Sequence, residues 1–169
     1  MIKFPDKKYQ IIYADPPWKY DFSKTKNREI ENHYETMSIE DIENMVVPAD
    51  ENCILYLWAT APKLLQALDV LQSWGFIYKT QSIWDKQKIG MGYWWRGQHE
   101  ILLVGVKGKM SPPPQKHRES SVYNEPRSKH SKKPNYYKDF LSKAFPELSK
   151  IELFAREKTE GWDSWGNEI

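Results

Sequence analysis

One cysteine in 169 residues leaves no intrachain disulfide available, so packing alone must hold the core. That residue, Cys53, lies in the apolar run Cys53-Ile54-Leu55-Tyr56-Leu57-Trp58, where a buried thiol is expected. Such cysteine usage suits a reducing, cytoplasmic compartment. Eight glycines form no Gly-x-Gly-x-x-Gly pattern, which excludes a nucleotide loop of that kind. No apolar run approaches the roughly 20 residues of a membrane span, and the N-terminus shows no apolar signal region. Repeats, low-complexity tracts and linkers are also lacking, so residues 1–169 are expected to form a single domain. The net charge of +2 gives no overall pull toward a polyanion.

What the chain has instead is aromatic surface and uneven charge. Forty per cent of it is hydrophobic, with eight tryptophans, enough to fill one core. Residues 29–51 carry acids and no Lys or Arg, whereas residues 107–138 carry nine basic residues against Glu119 and Glu125. Interleaved with Tyr123, Tyr136 and Tyr137, that basic stretch suits a phosphate backbone; a solvated lysine-rich loop explains the composition equally well.

Periodicity divides the chain into alternating strands and helices. Tyr9-Gln10-Ile11-Ile12-Tyr13 reads as a buried strand, and Cys53 to Trp58 as a second. Ser38 with Asp41 opens a short helix to about Val47. A second helix begins near Pro62, with Leu64, Leu65, Leu68, Leu71 and Trp74 on its apolar face and Gly75 as its stop. Phe76 to Lys86, Ile101 to Val106 and Ile151 to Arg156 are further strands, and Pro134 opens a helix to Phe145. Strand–helix–strand order of this kind implies an α/β fold with a parallel sheet. Residues 19–36, 87–98 and 108–130 read as substrate or partner loops, and the tail from Gly161 as irregular. In the second loop, Tyr93-Trp94-Trp95-Arg96 offers stacking and cationic surface, for a nucleic-acid or protein partner or for a satellite core beneath it.

The chemistry concentrates where the first strand stops, at Asp15-Pro16-Pro17-Trp18. Two prolines supply no N–H, so their carbonyls are expected to stand free as acceptors. Asp15 adds a charged acceptor and Trp18 a flat face, which together suit a planar group bearing an NH2, such as a nucleobase amine. A plain strand-ending turn would use some of the same residues.

Asp-Pro-Pro-Trp after an N-terminal strand resembles the catalytic motif of the MT-A70-like N6-adenine methyltransferases. The likeness runs in order along nearly the whole chain: Tyr34 with Thr36-Met37-Ser38, Leu57-Trp58, Trp74-Gly75-Phe76, His99-Glu100, Leu103 to Gly108, Ser131-Lys132-Lys133-Pro134, Leu153 to Arg156, and Gly166-Asn167-Glu168. It implies a Rossmann-like S-adenosylmethionine-dependent methyltransferase fold with circularly permuted motif order, the cofactor site being built from both chain ends at the carboxyl edge of the sheet. The cofactor implied is S-adenosylmethionine, leaving as S-adenosylhomocysteine, with no metal. Under this resemblance Asp15, Pro16, Pro17 and Trp18 are catalytic, while Tyr34, Trp18, Lys132 and Arg96 contact substrate. Asp15, Lys133, Arg156, Asn167 and Glu168 bind cofactor, Lys133 through the methionine carboxylate and Asn167 and Glu168 through the ribose hydroxyls.

The match has departures. Lys132 stands where the mRNA enzyme has histidine, and Glu157-Lys158 where it has Pro-His. The few residues ahead of Asp15 leave little chain to hold the cofactor's adenine, so Pro5, Asp6 and nearby backbone are expected to substitute. The expected activity is methyl transfer to adenine N6 in nucleic acid, DNA ahead of RNA, on a flipped or single-stranded base. A catalytically silent nucleic-acid-binding partner subunit is the rival of a different class. A small-molecule N-methyltransferase fits the basic stretch less well, and a cytosine N4 enzyme would more usually carry Ser or Asn before Pro-Pro. A homodimer through the 87–98 loop is a further expectation.

Overall fold

The computed structural model describes residues 3–20, 36–128 and 132–169. Its framework is one seven-stranded sheet. The strands are β1 (Tyr9–Ala14), β2 (Ala49–Ala59), β3 (Ile77–Asp85), β4 (His99–Lys107), β5 (Val122–Asn124), β6 (Lys150–Leu153) and β7 (Asp163–Trp165). They lie in the order β5-β3-β4-β2-β1-β6-β7. The helices are α1 (Ile39–Glu43), α2 (Leu64–Ser73) and α3 (Tyr136–Ala144).

Both faces of the central strands are buried, which is why they read as unbroken apolar runs. On one face Ile12, Ala14, Cys53, Leu55, Leu57, Ile101 and Leu103 pack with Ile42 of α1 and Ala67, Val70 and Leu71 of α2. On the other, Ile11, Tyr13, Ile54, Tyr56, Trp58 and Leu102 pack with Tyr137, Leu141 and Ala144 of α3. Buried indoles find polar partners: Trp58 Nε1 donates to the Tyr13 hydroxyl at 2.6 Å, and Trp74 Nε1 to the Ile42 carbonyl at 2.8 Å, tying α2 to α1.

β1 runs parallel to β2 and to β6. β4 is antiparallel to both β2 and β3, so the sheet is mixed rather than parallel throughout. β3 keeps the direction of β2, as its strand–helix–strand connection requires, but β4 lies between them. Other expectations need correction. Helix α1 is capped by Ser38, whose side chain accepts from the Asp41 N–H, yet it ends at Glu43 rather than Val47. Leu65 is 75% exposed, and Ala67 and Val70 take its place on the buried face of α2. Within the 108–130 loop β5 adds three residues beside β3, and in the tail β7 pairs with β6. Each is an edge segment too short to show a period; its neighbour's free ladder, not its own pattern, makes it a strand. Residues 21–35 and 129–131, with Tyr34 among them, lie outside the described residues. Among the described residues, no helix is long and apolar enough to cross a membrane.

Candidate active site

β1 ends at Ala14, opposite Leu57 of β2 and Leu153 of β6, so Asp15 leaves the sheet at its carboxyl edge. Because β4 is antiparallel, its first residues reach the same edge: Ile101 pairs with Ala59, and Glu100 stands one residue beyond. Here a cavity of about 310 Å³ is lined by Asp15, Pro16, Pro17, Trp18, Tyr20, Ala59, Thr60, Pro62, Glu100, Lys133 and Arg156. That volume is at the lower end for small-molecule sites.

Electrostatics organise the cavity. Lys133 Nζ lies 2.8 Å from Asp15 Oδ2 and 3.1 Å from Glu100 Oε2, and Glu100 is also paired with Lys86 at 3.3 Å. Burial on its own pulls the Lys133 ammonium down, but the Asp15 and Glu100 carboxylates outweigh it and hold the lysine above its ordinary range. Two acids and two bases thus form a continuous chain, Asp15–Lys133–Glu100–Lys86. In the same lining Tyr20 shares a hydrogen bond with the Thr60 hydroxyl at 2.7 Å, and burial pushes its phenol up to about 12 despite that bond.

The two proline carbonyls are not free. The Pro16 oxygen accepts from the Trp18 N–H at 2.9 Å, and the Pro17 oxygen from the Met37 N–H at 2.9 Å. The sequence does not show that the chain would turn back to use them. A carbonyl has two lone pairs, so Pro16 can still accept a second bond. Trp18 lines the cavity but is only 5% exposed, and its Nε1 donates to the Trp58 carbonyl at 3.1 Å. It is a wall of the site and part of the core at once.

The chain's far end arrives beside it. β6 stops at Leu153, short of the expected Arg156, because Phe154 turns the chain with φ +61°, in the left-handed region. The turn carries Arg156 to the cavity, where its Nε lies 3.6 Å from Glu168 Oε1. Gly166 permits the approach, since a Cβ there would run into the Ala155 carbonyl oxygen. Asn167 and Glu168 are exposed on this tail.

Other expected residues fall elsewhere. Lys132 pairs with Glu157 at 2.8 Å and lines a neighbouring cavity that shares Lys133 as a wall. Arg96 does not line the Asp15 cavity; its Nε donates to the Gly90 carbonyl at 2.8 Å and braces its own loop. The basic stretch is thinner than composition suggests. Lys138 is buried against Glu152 at 2.9 Å, and Tyr123 and Tyr136, both half-buried, stack on each other at 3.8 Å in the wall of that neighbouring cavity. Glu100 is the functional candidate that residue-by-residue reading passed over. Its signal was an acid opening an otherwise apolar strand, a costly position unless a cation meets it. Among the described residues no group of His, Cys, Asp and Glu could hold a metal ion.

Comparison with known proteins gives this geometry a family. The MT-A70 profile matches residues 9–168. The chain is 37% identical to the Type II methyltransferase M.MunI of Mycoplasma sp, over 99% of this chain and 80% of that protein. It is 28% identical to the human N(6)-adenosine-methyltransferase catalytic subunit METTL3, over 96% of this chain but 28% of that protein, and 27% identical to the human N(6)-adenine-specific methyltransferase METTL4, spanning 38% of it. The mixed seven-stranded sheet, the Asp15 cavity at its carboxyl edge and the match over residues 9–168 agree: the chain belongs to the MT-A70 family of methyltransferases, with a Rossmann-like fold.

Proposed function

We propose that this protein transfers a methyl group from S-adenosylmethionine to N6 of adenine in DNA. The observation that carries the reading is the Asp15 carboxylate, held by Lys133 at the mouth of a cavity that Pro16, Trp18 and Arg156 also line.

The residues fit the cofactor by their chemistry. Lys133 and Arg156 are cations for its carboxylate, Asp15 and Glu100 acceptors for its ammonium, and Asn167 and Glu168, on the tail that Gly166 brings in, acceptors for its ribose hydroxyls. When bound, it supplies an electrophilic methyl carbon on a sulfonium.

The protein's own task is the amine. Adenine's N6 lone pair is delocalised into the ring and is a poor nucleophile. Asp15 accepting one N6–H and the second lone pair of the Pro16 carbonyl accepting the other would draw that nitrogen toward tetrahedral geometry and free its electron pair. The N–C bond would form as the S–C bond breaks, S-adenosylhomocysteine leaving, and N6 would then lose one proton to solvent. These acceptors are fixed before the base arrives: Asp15 by Lys133, Pro16 by the Trp18 N–H. Preorganised polar groups of this kind do not have to reorient during reaction. Tyr34 and Trp18 are assigned to the base's faces, and Lys132 to its backbone.

DNA is favoured over RNA because the chain spans 80% of the type II methyltransferase but about a quarter of the relatives named for adenosine. The test is incubation with labelled S-adenosylmethionine and equal amounts of single- and double-stranded DNA and RNA, followed by nucleoside mass analysis. N6-methyldeoxyadenosine is expected. N6-methyladenosine alone would transfer the reading to RNA, and no methylated nucleoside would leave the silent-partner reading standing.

A further inference from the structure

The hairpin between β3 and β4 carries a feature that methyl transfer does not use. Asp85 pairs with His99 where these strands end, at the edge of the sheet that also presents Glu100 to the Asp15 cavity. From that edge the 86–98 loop projects, and at its tip Tyr93, Trp94 and Trp95 are 108%, 96% and 90% exposed. Among the described residues no satellite core covers these three side chains. Ile89 and Met91 are exposed alongside.

An apolar tip this size on water is costly without a partner. Its surroundings narrow the partner. Beyond Lys86, which Glu100 engages, the loop exposes Lys88 and Arg96 and contains no Asp or Glu, so a polyanion is the partner its charge favours. The loop is also shaped in advance. Gly90 and Gly97 are bonded across its neck, Gly90 N to Gly97 O at 2.8 Å and Gly97 N to Met91 O at 3.1 Å. Arg96 Nε fastens to Gly90 O, and a side chain at Gly92 would strike the Trp95 carbonyl oxygen. At the base, Asp85 Oδ1 accepts from Gln87 N and Gln98 Nε2, and Lys86 pairs with Glu100. A braced, cationic, aromatic tip attached directly to a catalytic edge is suited to enter a base stack.

We propose that the 86–98 loop is a wedge for duplex DNA: Trp94 and Trp95 enter the stack at the target site and stabilise the space from which adenine has been turned out toward Asp15. This rests on the proposed function and adds to it how a paired base is reached. An adenine N6 inside a duplex is inaccessible to Asp15, and apolar side chains inserted between bases offset the lost stacking.

The test compares the full-length protein with the W94A/W95A variant on three substrates of one sequence: a duplex, its single strand, and a duplex mismatched at the target adenine. The expected result is a fall of at least about 10-fold in the ratio of duplex to single-strand kcat/KM, since the loss of even one base stack is worth roughly that much. The mismatch, which lowers the cost of extrusion, should restore most of the ratio, as should W94F/W95F. An unchanged ratio overturns the wedge. So does an equal loss on all three substrates with a halved mass in sedimentation, which would make the tip a contact between two copies of this chain. Wild-type activity on single strands alone overturns the wedge but leaves the proposed function intact; no wild-type activity on any polymer overturns the proposed function and the wedge with it.

Discussion

Lys133 lies 2.8 Å from Asp15, although 118 positions separate them in the chain. The contact joins the end of β1 to the segment that opens α3, across the sheet's carboxyl edge. Lys133→Met removes the cation shared by Asp15 and Glu100. With Asp15 partly exposed and Glu100 retaining Lys86, the cost should be about 1–3 kcal/mol. Methylation should fall by about 100-fold or more, with Lys133→Arg recovering stability better than activity. Denaturant unfolding and initial rates check both parts.

The same pair fixes a pH dependence. The Lys133 ammonium sits above its ordinary range because Asp15 and Glu100 outweigh the opposing effect of burial. A raised lysine contributes stability that is complete below its unfolded value, about 10.4, and is lost as pH rises through the folded one. The stability difference between wild type and Lys133→Met should therefore be flat from pH 7 to about 10 and shrink above it. Denaturant titrations at pH 7, 9 and 11 measure it, and a difference that closes below pH 9 would contradict the assignment.

Trp18 tests the overlap of site and core. Its indole N–H is the donor to the buried Trp58 carbonyl. Trp18→Phe should cost about 1–2 kcal/mol through that lost bond, and Trp18→Ala about 3–5 kcal/mol through the cavity added. Thermal unfolding checks this. A Trp18→Phe protein of undiminished stability with only a raised KM would make Trp18 a ligand surface alone.

Gly166 governs the tail. An added Cβ would meet the Ala155 carbonyl oxygen and displace the residues that follow. Gly166→Ala should weaken S-adenosylmethionine binding by about 10- to 100-fold, since small displacements of positioning groups have effects of that size. Calorimetric titration measures the affinity, and unchanged affinity would remove Asn167 and Glu168 from the cofactor site.

How much of this was readable in the sequence depended on burial. β1, β2 and β4 are covered on both faces, so their apolar runs announced them, and Asp15 was legible because it follows one of those runs. β5 and β7 are polar edge segments whose identity comes from the neighbouring ladder. Leu65 matched the helical period but fell on the wrong side of a narrower buried stripe. Engagement of the Pro16 and Pro17 carbonyls depended on where the chain goes next, as did the pairing of Lys133 with Glu100. Contacts made across such distances in sequence leave no local trace. The seven-stranded order likewise could not be counted from spacing, since β4 enters between two strands joined by a helix.

The central claim is that a carboxylate fixed at the end of β1 activates the adenine amine. Single-turnover methylation by Asp15→Ala, beside a thermal melt of the same protein, tests it most directly. The expected rate is lower by about 1,000-fold or more in a protein that still unfolds cooperatively. A folded Asp15→Ala protein that methylates adenine at near the wild-type rate would contradict it.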